Sequence, residues 1–234
     1  MTASTSAVLR TLLGPDLRAA RTLPLLGAGV VGVVGTGCPA LFSAHVQPDA
    51  ATVLLRIATV LTAIGLACLL DDPAARTTVV VPVSRGLRSG LRMAVGLLVF
   101  GLFWSASASL ARLGVEADAR QLFPVGGLAV EGLTLAVGTL ALALVGVRRS
   151  ALGAGSLVAA PAVTLFVVAA LFLPEGLALF PVPGDPNWSD ATLRWSVLLV
   201  VALVGCAAQL RDEPRAKRTS PGTGGEALEP DSAV

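Results

Sequence analysis

Six apolar segments of about 20 residues each recur along this chain, and they limit its fold more than any other feature. An α-helix needs about 20 apolar residues to cross the roughly 30 Å hydrocarbon layer of a bilayer. Composition agrees, because only 14% of the 234 residues are charged, whereas soluble domains carry about 25%. The sequence therefore predicts an all-α polytopic membrane protein with about six transmembrane helices, over residues 23–44, 51–70, 91–110, 125–147, 151–173 and 193–210.

These segments divide the chain into three regions. Residues 1–22 carry leucine and valine at helical spacing with arginine between them, which predicts a cytoplasmic amphipathic helix lying in the membrane interface. Residues 23–210 form the predicted six-helix transmembrane domain. Residues 211–234 begin basic and end acidic, and their glycine, proline and serine content predicts a disordered cytoplasmic tail.

The distribution of basic residues predicts the orientation. Cytoplasmic segments of membrane proteins carry an excess of Lys and Arg. If the N-terminus is cytoplasmic, 13 of the 17 Lys and Arg residues fall in cytoplasmic segments and three in outer segments, and Arg56 lies within a span. We therefore expect a multi-pass protein of the plasma membrane with both termini in the cytoplasm.

Arg56 in the second span and Glu131 in the fourth are the two ionisable residues well inside predicted spans. Each would cost about 2.5–3.5 kcal/mol at the membrane centre. Both lie roughly 8–9 Å below the outer ends of their predicted helices, at 1.5 Å per residue, so one hypothesis is an intramembrane ion pair. In a second, Arg56 extends alone to the outer surface while Glu131 faces a wet crevice or stays protonated. In a third, one of them lines a substrate path.

The loop over residues 71–90 begins with a helix signal. Asp72 is suited to cap free backbone N–H groups, and Pro73 to occupy the first helical position. The β-branched residues at 77–81 predict that this helix is short. A short, rigid helix between two spans could dock on a cytoplasmic protein and pass motion to the membrane helices.

Arg85, Arg88 and Arg92 share one helical face at the entry to the third span. An interfacial basic face of this kind is typical of anchoring on anionic lipid headgroups. We expect these three side chains to contact the membrane surface.

Several kinds of chemistry find no support in the sequence. No G-x-x-x-x-G-K-[ST] motif occurs, so the chain has no such phosphate-binding loop of its own. Its single histidine and three cysteines have no metal-site spacing, and the net charge of +2 is too small to suggest nucleic acid. Ser105, Ser107, Ser109 and His45 raise the alternative of an intramembrane serine protease, but small hydroxyl residues are more often helix-packing contacts. The sequence does not predict an enzyme.

One family resemblance is carried by the loop and by features further along the chain. The loop contains the run Leu69-Leu70-Asp71-Asp72-Pro73-Ala74-Ala75-Arg76-Thr77-Thr78, followed by Pro82-Val83. The other features are Trp104, Glu131 and the outer run Pro183-Gly184-Asp185-Pro186-Asn187-Trp188, which leads to Arg194-Trp195. Over about residues 50 to 205 the chain resembles actinobacterial integral membrane permease subunits of ABC transporters, of the ABC-2 exporter type.

The resemblance implies a function and a set of partners. Asp71, Asp72, Pro73 and Arg76 would form the coupling loop to a separate cytoplasmic ATPase, which would bind the ATP, and no cofactor is expected in this chain. The other half of the pathway would come from a second permease subunit or from a homodimer. Residues 174–192 would be an outer re-entrant element, with an ordinary surface loop as the alternative.

A second hypothesis is a non-transporting accessory or assembly subunit of a larger membrane complex. The apolar spans do not distinguish a cargo, because they fit a lipid-like or peptide substrate no better than they fit helix packing alone. Neither the substrate nor the direction of transport is indicated by the residues.

Overall fold

The computed structural model describes residues 22–42, 46–71, 85–149 and 155–210, and the regular structure in this part of the chain is helical. An isolated β-bridge joins Val46 and Val115. Short 3-10 helices lie at Cys68–Leu70, Ala117–Leu122 and Glu175–Leu177. The α-helices are α1 (Leu23–Leu41), α2 (Pro48–Ala67), α3 (Arg85–Gly114), α4 (Val125–Arg149), α5 (Ser156–Leu171) and α6 (Trp188–Leu210).

Five of these helices are long and apolar enough to cross a membrane, which confirms the predicted fold class of an all-α polytopic membrane protein. Their candidate spans are Leu23–Leu41, Pro48–Leu70, Ser89–Gly114, Val125–Arg149 and Trp188–Leu210. Large apolar side chains lie exposed along them, and in α6 these include Val197, Val200 and Val201. Contiguous exposed apolar faces are typical of helices surrounded by lipid.

The fifth predicted span, 151–173, is longer than the helix found there. Helix α5 has 16 residues and is therefore about 24 Å long. It ends at Leu171 because Leu173 precedes Pro174, and the residue before a proline is driven out of the helical region. The chain then continues as irregular structure through residues 172–187.

Other helix boundaries differ from the predicted ones by several residues. Helix α2 begins at Pro48 rather than at 51, since proline suits the first helical turn. Helix α6 begins at Trp188 rather than at 193, where the carbonyl of Asn187 accepts the first helical bond, from the N–H of Ala191 at 2.9 Å. Helix α3 extends beyond the predicted 91–110 at both ends.

Contacts between helix ends show that consecutive helices alternate in direction. Val46, just before α2, donates its N–H to the carbonyl of Gly114 at the end of α3, at 3.0 Å. A Cβ placed on Gly127 near the start of α4 would lie 2.8 Å from the indole nitrogen of Trp188 at the start of α6. The starts of α2, α4 and α6 therefore lie together, and we call this the Arg56 end of the bundle.

The opposite end, which we call the Asp71 end, holds the last turns of α2, α4 and α6. Arg148 at the end of α4 donates to the carbonyl of Gln209 at the end of α6. Helix α5 starts at this end and runs toward the Arg56 end, where the ring of Phe166 lies edge-on to Trp195 with centroids 6.0 Å apart. Helix α5 therefore runs in the direction opposite to that of α4 and α6, as the predicted fifth span would.

Helices α2 and α4 occupy the centre of the bundle. More than half of the apolar window of each is buried, against 17% of the window of α6. Helices α1 and α2 approach closely at Gly65, where an added Cβ would lie 2.8 Å from the carbonyl oxygen of Pro24. Such close backbone contact is what small residues provide between helices in lipid.

Several predicted features lie outside the described residues. They are the amphipathic segment up to residue 21, the tail 211–234, Asp72, Pro73 and Arg76 of the coupling loop, and the side chains of Arg85 and Arg88.

Candidate functional site

The side chains of Arg56 and Glu131, from α2 and α4, lie in direct contact near the Arg56 end. The Nε–H of Arg56 donates to both carboxylate oxygens of Glu131, at 3.1 and 3.2 Å. The side chains are 13% and 5% exposed, respectively. Of the three hypotheses for these residues, the ion pair is the one whose arrangement is found in the structure. Each charge offsets the desolvation of the other, because a paired ion inside a membrane is much less costly than a lone one.

Two aromatic rings flank the guanidinium of Arg56. Its central carbon lies 5.2 Å from the ring centroid of Phe180 and 5.8 Å from that of Trp188. Both distances fall within the range of cation–π attraction. The cation is therefore held by a carboxylate on one side and by π faces contributed from the segment before α6 and from its first residue.

The segment 172–187 folds back onto the bundle instead of extending away from it. Arg194 donates through its two terminal nitrogens to the carbonyls of Ala178 at 3.1 Å and Gly176 at 2.8 Å. The indole N–H of Trp195 donates to the carbonyl of Leu179 at 2.7 Å, and Leu179 is buried. The backbone of this segment is thus fixed to α6, as an outer re-entrant element would require, while its position relative to a bilayer stays a prediction.

A tight turn connects the segment to α6. Gly184 has φ +87°, a conformation that glycine adopts without strain. The carboxylate of Asp185 accepts the backbone N–H of Asn187 at 2.7 Å, a local turn that Asp commonly makes. The turn places Trp188 beside Arg56.

The pair and Trp188 border a narrow crevice with an accessible volume of about 10 Å³, which is space for about one water molecule. Its lining includes Arg56, Glu131, Trp188 and Thr192. Drug-sized ligands occupy pockets of about 300–1,000 Å³, so the crevice is too small for a ligand of that size.

Asp71 forms a second site, at the opposite end of α2. Its carboxylate accepts the backbone N–H of Ser156 at 2.9 Å and the hydroxyl of the same residue at 2.5 Å. Asp71 is 7% exposed. It therefore caps the N-terminus of α5, where the helix dipole also favours a negative charge, and joins the end of α2 to a helix 85 residues further along the chain.

Arg92 occupies a position that differs from the predicted one. Its side chain is buried, with 7% exposure, because the first turns of α3 pack against the end of α2. This burial does not fit the predicted contact of Arg92 with the membrane surface, and for Arg85 and Arg88 that contact remains a prediction.

Residues that sequence reasoning missed are Ser156, Phe180 and Trp188 as partners of the charged side chains. A serine at the start of an apolar run is a typical helix N-terminal signal, although nothing local identifies its acceptor. Aromatic residues near membrane interfaces are common, and their sequence spacing does not reveal a neighbouring arginine.

Within the part of the chain that the structure describes, no group of three or more His, Cys, Asp or Glu residues is placed to hold a metal ion. The chain was also compared with family models, with curated proteins and with solved structures, and none of them matches it.

Proposed function

We propose that this chain is the membrane-spanning permease subunit of an ABC-2-like exporter, driven by a separate cytoplasmic ATPase. In this proposal the Asp71 end faces the cytoplasm of the cell, both termini lie there, and a second permease subunit or a second copy completes the pathway. The orientation is supported by the excess of basic residues in the segments at that end.

The observation that carries the proposal is the double hydrogen bond from Ser156 to Asp71. Asp71 is the first residue of the loop that the sequence predicts to dock on the ATPase. A displacement of this loop would act on α2 and α3 through the chain and on α5 through the buried carboxylate. A coupling element has to move several membrane helices together, and this junction connects three of them.

Helix α2 extends the connection to the other end of the bundle. Arg56 lies 15 residues before Asp71, about 22 Å along the helix. Movement of α2 at the Asp71 end would therefore shift the ion pair with Glu131 and, through Phe180, the segment fixed to α6. By this route, a conformational change of the ATPase would open or close the transport pathway at the Arg56 end of the bundle.

A non-transporting accessory subunit is the alternative, and the small crevices favour it. The two best-formed crevices among the described residues have space for about one water molecule at most, so neither is a path through a single chain. In the permease proposal the path lies between two subunits, where one chain alone would not display it.

The test is a tagged purification from the native membrane in mild detergent, with the co-purifying proteins identified. We expect a stoichiometric ABC ATPase that is lost when Asp72 and Pro73 are both replaced by alanine. Arg120→Gln, at the opposite end, is the control and should retain the ATPase. Recovery of the chain without any ATPase, even after cross-linking, would favour the accessory subunit and leave the membrane fold unaffected.

A further inference from the structure

The segment 172–187 contacts the rest of the bundle mainly through a short central part. Residues 172–177 are exposed, whereas Leu179 and Pro181 are buried and Phe180 between them is partly buried. Apart from one short 3-10 turn, the segment is irregular. The segment is therefore a strap that is held against the helices near its middle.

Among the described residues, three hydrogen bonds join the central part of the strap to the helices, and all three come from two neighbouring residues of α6. Arg194 donates to the carbonyls of Gly176 and Ala178, and Trp195 donates to the carbonyl of Leu179. A segment with few buried contacts and few backbone hydrogen bonds opens locally at a lower free energy than packed helices. The strap can therefore detach while the helical bundle stays folded.

The central part of the strap covers the ion pair of Arg56 and Glu131. The ring of Phe180 lies 5.2 Å from the central guanidinium carbon of Arg56, and Leu179 and Pro181 line the crevice beside the pair. With the strap in place, the two charged side chains are 13% and 5% exposed, and the crevice has space for about one water molecule. Displacement of the strap would open this crevice to solvent at the Arg56 end.

We propose that the strap is a releasable cover that controls the access of water and small water-soluble molecules to the ion pair. Its latch is Arg194, and the turn at Gly184, whose φ is +87°, is its hinge. When the strap opens, Arg56 loses the π face of Phe180 and the pair is hydrated, so the attraction between the two charges falls because the local dielectric constant rises. Opening of the strap therefore loosens the link between α2 and α4, in a permease and in an accessory subunit alike.

The test is cysteine labelling of the full-length protein in lipid nanodiscs with a water-soluble maleimide, resolved by site with mass spectrometry. The reporter is Ala191→Cys, because Ala191 lines the crevice and is 3% exposed. We expect the reporter to react about tenfold to a thousandfold more slowly than Glu116→Cys, an exposed position at the same end, as for a site that is reached only in a minor state. Arg194→Ala, which removes two bonds to the strap, should accelerate labelling of the reporter about tenfold.

Arg120→Ala is the matched control. Arg120 also donates to two backbone carbonyls at this end of the bundle, but its acceptors, Leu113 and Val115, lie outside the strap. We therefore expect Arg120→Ala to leave the labelling rate of the reporter unchanged. If Arg194→Ala fails to fold, Phe180→Leu is the second variant, and the loss of its cation–π contact should accelerate labelling about threefold.

The natural Cys206 serves as an internal control for general loosening of the bundle. It is buried where α6 packs on α4, with its thiol directed to the carbonyl of Val137, and its labelling rate should be the same in every variant. Equal labelling of the reporter in the parent, in Arg194→Ala and in Phe180→Leu would overturn the proposal. So would a reporter that reacts as fast as Glu116→Cys in the parent, or an acceleration at Cys206 that accompanies the one at the reporter.

Discussion

Replacing Ser156 or Asp71 tests whether the end of α2 and the start of α5 behave as one unit. Ser156→Ala removes the hydroxyl bond to the carboxylate and leaves the backbone N–H bond in place. A hydrogen bond to a charged group is worth about 1.5–3 kcal/mol. Asp71→Ala removes both bonds and the favourable charge at the helix N-terminus, where capping contributes about 0.5–2 kcal/mol. We expect losses of roughly 1.5 and 3 kcal/mol in the free energy of unfolding.

The double variant isolates the interaction between the two residues. Once the Asp71 carboxylate is removed, the Ser156 hydroxyl has no bond to it, so replacing Ser156 as well should cause no further loss of stability. We therefore expect the double variant to be about as stable as Asp71→Ala alone, which corresponds to a coupling energy of roughly 1–2 kcal/mol. The assay is thermal unfolding of the detergent-purified protein, in which 1 kcal/mol corresponds to about 2–4 °C for a chain of this size.

A control within the same helix separates this effect from general damage to α5. Thr164→Ala removes a hydroxyl that is exposed and bonds only within its own helix, to the carbonyl of Ala160. It should change the midpoint by less than about 2 °C, which corresponds to the roughly ±0.5 kcal/mol of ordinary surface substitutions. Strictly additive effects of Asp71→Ala and Ser156→Ala would refute the hydroxyl bond between the two residues. A loss in Asp71→Ala no larger than the roughly 0.5 kcal/mol of the control would refute the cap and with it the connection from the loop to α5.

Three further predictions concern the rest of the bundle. Arg56→Ala and Glu131→Ala should each destabilise the protein by about 3–5 kcal/mol, and the double variant by much less than their sum, as measured by thermal unfolding; additive losses would contradict the ion pair. Gly65→Ala should cost about 1–3 kcal/mol, because its Cβ would meet the backbone of α1, whereas Gly35→Ala, with no atom within 4 Å, should be neutral or slightly stabilising in the same assay. Trp195→Phe should lower the free energy of unfolding by about 0.5–1.5 kcal/mol and make the segment 172–187 more susceptible to limited proteolysis, because the bond to Leu179 is lost; unchanged cleavage would show that other contacts hold the segment against α6.

The positions of five of the six predicted membrane helices follow from the sequence because hydropathy is a local property; at the predicted span 151–173 the structure has a helix of 16 residues. About 20 apolar residues must form a helix in lipid, where no water is available to satisfy backbone groups. The depth of Arg56 and Glu131 could also be counted along their helices, and equal depth was enough to propose their pairing. Helix ends were less predictable: α6 starts five residues before its predicted position because a turn at Gly184 and Asp185 positions its first residues.

The partners of the charged side chains were decided only by the tertiary structure. Nothing near Asp71 in the sequence distinguishes a residue that starts a loop helix from one that caps α5, since Ser156 lies 85 residues away. Similarly, Phe180 and Trp188 reach Arg56 because the segment before α6 folds back over α2 and α4. Hydropathy fixes how each helix relates to the membrane, whereas contacts between helices depend on shape and on pairing among distant residues, which no local pattern encodes.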